Sequence, residues 1–177
     1  MRLLNRISNA DPSAWGKIQE MVNNPADYPV FESVEDQAVI PYSGVDPYQS
    51  YFSTGNITPD NFKNYKLSEE VVNMMYDPEK KYADPRLSIF GLKSGKADWK
   101  GTVPGSADSD LPVVDKDATH LNTNTLNRNN APSRLLEYSE ILFIYAEGVQ
   151  KGKLTMPNNA KYYYEEAVKA SVQTWAP

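Results

Sequence analysis

The chain has 177 residues, with 18 Lys and Arg against 23 Asp and Glu, a net charge of −5, no cysteine and one histidine. That acidic balance argues against nucleic acid, whose binders must neutralise a dense row of phosphates, and against attraction to an anionic membrane surface. The missing cysteines remove disulfides, thiol chemistry, thiolate metal sites and cysteine-linked lipid from these residues, and the lone His120 rules out any site needing two histidines.

No apolar run approaches the roughly 18 residues a bilayer span requires. The start does not read as a signal peptide, because Arg2, Asn5 and Arg6 interrupt Leu3, Leu4 and Ile7. Those apolar residues predict a first short helix over Met1–Asn9, marginal without packing partners and readable as the tail of a longer one. Asp11-Pro12 reads as an N-cap followed by proline at the first helical position. Trp15, Ile18, Met21 and Val22 continue at helical spacing until Asn23-Asn24-Pro25.

From about Pro25 to Pro132 the pattern changes. Prolines separate short apolar runs such as Pro29-Val30-Phe31, Ala38-Val39-Ile40 and Arg86–Phe90, which read as turns with a few short strands. One helix is signalled there: Ser68 as N-cap, Glu69-Glu70 in the first turn, Val71, Val72 and Met75 facing inward, and Asp77-Pro78 as the stop. Segment 100–130 has the most disorder-like composition, with Pro104-Gly105-Ser106, aspartates at 108, 110, 115 and 117, and an Asn/Thr run over Asn122–Asn130.

The last third is the best patterned. Leu135, Tyr138, Leu142, Ala146 and Val149 predict a helix over Ser133–Lys151, and the run Ile141–Ala146 requires cover on more than one side. Lys151-Gly152-Lys153 forms its stop. Pro157 then opens a second helix whose small residues Ala160, Ala167 and Ser171 permit a close helix approach. Gly148, Ala160, Tyr164 and Ala167 stand at offsets 0, 12, 16 and 19. These are the small and aromatic positions of a tetratricopeptide repeat, a helical hairpin of about 34 residues that needs neighbours to bury its apolar face. The aromatic expected three residues after the glycine is Lys151 here.

Taken in order, these segments resemble the SusD/RagB-like proteins of Bacteroidetes, particularly the shorter SusD-like branch. Arg2–Ile7 with Asp11-Pro12 is similar to that family's helix ending before "DP". Glu35–Ala38 followed by Ile40-Pro41-Tyr42 resembles its strand entry, and Tyr82–Leu87 contains its "DPRL" turn. Ser139–Glu147 and Tyr163–Ser171, ending in Trp175, resemble its last helix pair. The resemblance implies an α+β, mainly α fold: tetratricopeptide-like hairpins supporting a large irregular loop-rich lobe. On this reading 1–24 is a helical repeat remnant, 25–132 the lobe and 133–177 the hairpin of a single SusD-like region. It further implies an outer-membrane lipoprotein that caps a SusC-like TonB-dependent transporter and captures glycan, or in some members peptide. The chain shows no export signal, lipidation cysteine or full set of N-terminal repeats, and so reads as the C-terminal portion of a longer member.

Glu140 and Glu147 are two turns apart on one helix face, about 10 Å by helical rise, too far for a retaining glycosidase pair and marginal for an inverting one. Their apolar neighbours point instead to bonds with backbone donors of the irregular lobe, and no catalytic residue is expected. His120 reads as a solvated loop histidine, and the aspartates lack the calcium-loop pattern, so no metal or cofactor is expected. Asp84 and Arg86 read as a capped turn with an ion pair rather than a binding clamp.

Neutral sugars are held by stacking their C–H faces on aromatic rings and matching their hydroxyls with polar side chains. Tyr42–Phe52 places four aromatics among turn residues, and Trp99 sits between Asp98 and Lys100 in a glycine-rich loop. The expected ligand contacts are Tyr48, Tyr51 and Trp99, with Gln49 and Asp98 as hydrogen-bonding partners. Tyr42 and Phe52 have an alternative reading as minor core beneath the loop. Tyr162–Tyr164 read as helix packing, and Trp15 and Trp175 as core. Two other classes stay open: a protein-interaction scaffold for the transporter with no sugar site, and a hydrolase using Glu140 and Glu147.

Overall fold

The computed structural model describes residues 1–94, 98–105 and 117–175 and divides into two compact units, Met1–Val39 with Arg134–Trp175, and Ile40–Ser133. In chain order the first elements are α1 (Arg2–Ile7), α2 (Ala14–Asn23), a 3-10 turn (Val34–Asp36) and β1 (Ala38–Ile40). Then come α3 (Pro59–Phe62), α4 (Glu69–Met75), β2 (Tyr76–Asp77), β3 (Tyr82–Ala83), α5 (Leu87–Phe90) and β4 (Gly91–Leu92). The remaining described elements are β5 (His120–Leu121), β6 (Ser133–Leu136), α6 (Tyr138–Gln150) and α7 (Ala160–Trp175). Three two-stranded sheets pair β1 with β6, β2 with β3 and β4 with β5. The α+β, mainly helical class follows directly.

The first unit is built on the α6–α7 hairpin. Ile141, Leu142, Ile144, Tyr145 and Ala146 of α6 pack with Tyr163, Ala167 and Ala170 of α7, Trp15 and Ile18 of α2, and Leu154 of the connection. Burying each large side chain of this set contributes about 1.5–3 kcal/mol. α6 is covered on several sides, as its continuous apolar run requires. Gly152 takes φ +63 after the helix end, and Lys153 and Leu154 N–H both return to Gly148 O. Gln37 Oε1 accepts from Tyr138 N–H at 3.3 Å and from the Thr174 hydroxyl at 3.2 Å, joining the start of α6 to the end of α7.

Several boundaries differ from the sequence reading. Ser133–Leu136 is strand, not the first turn of α6, because pairing with Ala38–Ile40 satisfies its backbone and leaves Leu135 exposed. Helix α7 begins at Ala160, and Pro157 lies in a bend ahead of it. Asn159 Oδ1 receives Tyr162 N–H at 2.9 Å, so the asparagine and not the proline starts that helix. Likewise α2 starts at Ala14, since Asp11 Oδ1 spends its capacity on Ser13 N–H at 2.9 Å and on the Ser13 hydroxyl. Of Tyr162–Tyr164 only Tyr163 is buried, and Trp175 is half-buried beneath the Arg134 guanidinium, 4.5 Å from its ring centre, rather than core.

The second unit has a smaller core, Leu67, Val72 and Leu87, with Phe90, Trp99 and Leu121 packed against it. Helix α4 is capped as its sequence announces: Ser68 Oγ accepts Val71 N–H at 3.3 Å. Arg86–Phe90, read as an apolar strand-like run, is instead a helical turn. Asp84 accepts Arg86 N–H at 2.9 Å and holds the Arg86 guanidinium, while Leu87 N–H bonds Asp84 O. The expected capped turn is therefore present. Residues 117–130 are far from disorder-like, with Thr119, Asn122 and Asn127 buried and β5 paired antiparallel to β4. Aspartates 108, 110 and 115 lie outside the described residues. His120 is a half-buried strand residue, not a solvated loop histidine, because its backbone bridges Lys66 and its Nδ1 meets Leu121 O at 3.0 Å.

Candidate functional site

The aromatic loop of the second unit is assembled from turns that need little regular structure. Tyr48 N–H closes a turn onto Val45 O at 2.8 Å, and Gly44, at φ +82, donates back to Tyr48 O at 3.2 Å. Further on, Ser50 and Ser53 are buried and serve the backbone. Ser50 Oγ accepts Phe52 N–H at 3.2 Å, Ser53 N–H donates to Ser50 O at 2.9 Å, and Ser53 Oγ accepts Asn56 N–H at 3.3 Å. With its serines turned inward, the loop turns its rings outward: Tyr48 and Tyr51 are each 71% exposed. Gln49, between them, is half-buried.

Tyr51 also belongs to a row of edge-to-face rings. Its centroid is 5.2 Å from Phe52, which lies 6.0 Å from Phe62, which lies 5.9 Å from Tyr65. Phe62 is only 1% exposed and forms the base of the row, held in α3 by the Thr58 cap. Phe52 and Tyr65 remain exposed. Phe52 is thus a surface ring rather than the minor core of the alternative reading. Tyr65 lies three residues past Phe62, beyond the end of α3, and carries no local sequence signal for its place in the row. Tyr42 is half-buried, its hydroxyl 3.2 Å from Ser133 Oγ.

The second expected pair, Asp98 and Trp99, is placed by the smaller core. Trp99 packs against the Leu67, Val72 and Leu87 cluster with Lys93 Nζ 5.0 Å over its ring. Asp98 accepts from the Tyr76 hydroxyl, from Lys93 Nζ at 2.9 Å and from Trp99 N–H at 2.9 Å. The Tyr76 bond first, and Lys93 next, draw its carboxyl down to about 2. It is a carboxylate already in use. Tyr48, Gln49 and Tyr51 therefore share one loop, and Asp98 and Trp99 another. No hydrogen bond or ring contact joins the two sets among the described residues.

The two helix carboxylates are also engaged, though not as expected. Arg2 of α1 holds Glu140 through Nε and a terminal nitrogen and also donates to Leu135 O at 2.9 Å. Glu147 accepts from Asn5 Nδ2 at 3.1 Å and from Lys151 Nζ at 2.5 Å. Their partners are side chains of α1 and of Lys151 at the end of α6, not lobe backbone, because α1 lies along this face of α6. Among the described residues no three His, Asp or Glu side chains converge as a metal site.

A helical hairpin of tetratricopeptide spacing and a loop lobe with exposed rings define a repeat-scaffold protein that presents an aromatic loop. Over residues 1–177 the sequence matches the SusD-like family described as starch-binding and associating with the outer membrane, and the chain belongs to that family. Solved structures agree on the fold. A chitin-binding protein aligns with TM-score 0.74 at 20% identity over 98% of this chain and 38% of its own. A SusD homologue from Bacteroides fragilis aligns with TM-score 0.73 at 20% identity over 97% of this chain and 37% of its own. A chitin-binding SusD homologue from Flavobacterium johnsoniae aligns with TM-score 0.70 at 19% identity over 97% and 33%. This chain thus spans 33–38% of the length of these three solved chains. Comparison with curated protein sequences finds no match.

Proposed function

We propose that this chain binds polysaccharide or oligosaccharide without cleaving it, at the outer-membrane surface, for uptake through a SusC-like TonB-dependent transporter. The observation that carries the reading is the pair Tyr48 and Tyr51, both 71% exposed on a loop whose backbone is held by buried serines. Rings presented in a fixed frame stack on sugar faces with little ordering cost. Gln49 supplies an amide for hydroxyls, Phe52 and Tyr65 extend the apolar row, and Trp99 with Asp98 forms a second contact whose carboxylate orients the loop. Membership in a family described as starch-binding supports the ligand class, and two chitin-binding relatives of the same fold support a β-linked polymer as an alternative to starch. The prior engagement of Glu140 and Glu147 supports binding without hydrolysis.

Native gel electrophoresis of the folded chain in gels containing soluble amylopectin or glycol chitin tests this. Retardation by one polymer, lost in Tyr48→Ala and Tyr51→Ala, is the expected result. A folded chain retarded by neither polymer contradicts it.

One observation favours a second reading, a scaffold that contacts only protein. An open groove of about 540 Å³ on the hairpin is lined by Phe143, Ala146, Gln150, Ala160, Lys161 and Tyr164. Tyr164, at the aromatic position of the repeat, is exposed there with its ring 5.6 Å from Phe143. A repeat hairpin needs a neighbour on such a face.

A further inference from the structure

The loop that carries Tyr48 and Tyr51 is stitched from behind to the Asn/Thr run. Ser50 N–H donates to Asn129 O at 2.8 Å, and Thr54 donates to Asn129 Oδ1 through its N–H at 3.2 Å and its hydroxyl at 3.0 Å. Two residues earlier the amide is used the other way round. Asn127, only 3% exposed, donates from Nδ2 to Phe52 O at 2.8 Å and to Ile57 O at 2.9 Å. Its Oδ1 is buried without a partner among the described residues, so its two hydrogens are what fasten it.

The other end of the run grips α5. Asn122 donates from its backbone to Phe90 O at 2.9 Å and from Nδ2 to Ser88 O at 2.7 Å, and the Thr125 hydroxyl donates to Ile89 O. Asn124 N–H returns to Asn122 Oδ1 at 2.8 Å, which sets the bend between the two grips.

We infer that Asn127 and Asn129 are positioning residues for the Tyr48–Tyr51 contact surface, Asn127 acting through its amide hydrogens and Asn129 through its amide oxygen. The partners dictate this polarity, because carbonyl oxygens can only accept and a backbone N–H can only donate. The inference rests on the proposed function for its ligand and on this hydrogen-bond network for its geometry.

Aspartate discriminates the two roles, being the size of asparagine with an acceptor but, when ionised, no donor. At position 129 the bonds from Thr54 survive the exchange. At position 127 a carboxylate faces two carbonyl oxygens and the loop is released. The test uses the full chain in amylopectin and glycol chitin gels, with amide hydrogen exchange read by NMR. Asn127→Asp is expected to weaken polymer binding by about tenfold or more, with Thr54 and Ile57 amides exchanging faster while Leu67 and Val72 keep parental rates. Asn129→Ala is expected to lose Thr54 protection and binding, and Asn129→Asp to restore both. Equal behaviour of the two aspartate variants overturns the inference, as does fast loop exchange with parental binding. If Asn127→Asp fails to fold, the alanine and aspartate pair at 129 decides: parental binding by Asn129→Ala overturns it. A folded parent that binds neither polymer contradicts the proposed function alone. The exchange contrast between the aspartates then still decides whether the amides hold the loop.

Discussion

Gly148 of α6 lies against Trp15 of α2 so closely that a β-carbon at 148 would stand 2.8 Å from Trp15 Cζ3 and 2.5 Å from Leu154 Cδ1. Both neighbours are buried core residues of the first unit. The small position of the repeat is thus a packing requirement that lets the connection after α6 fold back onto the helix.

Gly148→Ala is accordingly expected to destabilise the chain by about 1–3 kcal/mol through overpacking, despite alanine's better helix propensity. Urea unfolding followed by far-UV circular dichroism checks this. An unchanged or raised midpoint would contradict the contact.

The Arg2–Glu140 pair joins α1 to α6, with each side chain 35% exposed. At that exposure solvent screens much of the attraction, and a bidentate geometry recovers part of it. A double-mutant cycle with Arg2→Met and Glu140→Gln should give a small favourable coupling that shrinks as salt is raised. Glu140→Gln should leave polymer retardation intact, since the aromatic loop is carried elsewhere. Loss of a hydrolytic activity in that variant would instead restore the hydrolase reading.

Asp98 gives a pH signature. Its carboxyl is drawn to about 2, chiefly by the Tyr76 hydroxyl and then by Lys93, so its folded value lies below the unfolded one. The network's contribution to stability is therefore complete above the unfolded value of about 3.9 and is lost as pH falls through about 2. Carboxyl NMR titration should find the Asp98 midpoint near 2 in the parent and higher in Tyr76→Phe. A midpoint that ignores the substitution would contradict the assignment of the hydroxyl as the main cause.

Much of the scaffold was legible because its signals are local. Ser68 with two following glutamates announces α4, Gly152 ends α6, and the apolar run Ile141–Ala146 demands a helix covered on several sides. What was not legible depends on distant partners. Leu135 belongs to helical periodicity in sequence, yet Ser133–Leu136 pairs with a strand nearly a hundred positions earlier. The Asn/Thr run resembles disorder because its order comes from bonds to Ser88, Ile89, Phe52 and Ile57, none adjacent in the chain. At the candidate site, turn composition marked Tyr48 and Tyr51 as loop residues. It gave no sign of Tyr65, which joins the row only through Phe62. Nor did composition reveal that Asp98 is committed to Tyr76.

NMR of tyrosine-labelled protein titrated with soluble chitin and starch oligosaccharides reads whether the exposed rings of the Tyr42–Phe52 loop meet sugar. One of the two series is expected to move the ring signals of Tyr48 and Tyr51 while those of buried Tyr145 and Tyr163 stay fixed. Movement confined to Tyr162 and Tyr164 of α7, or no movement with either series, would contradict it.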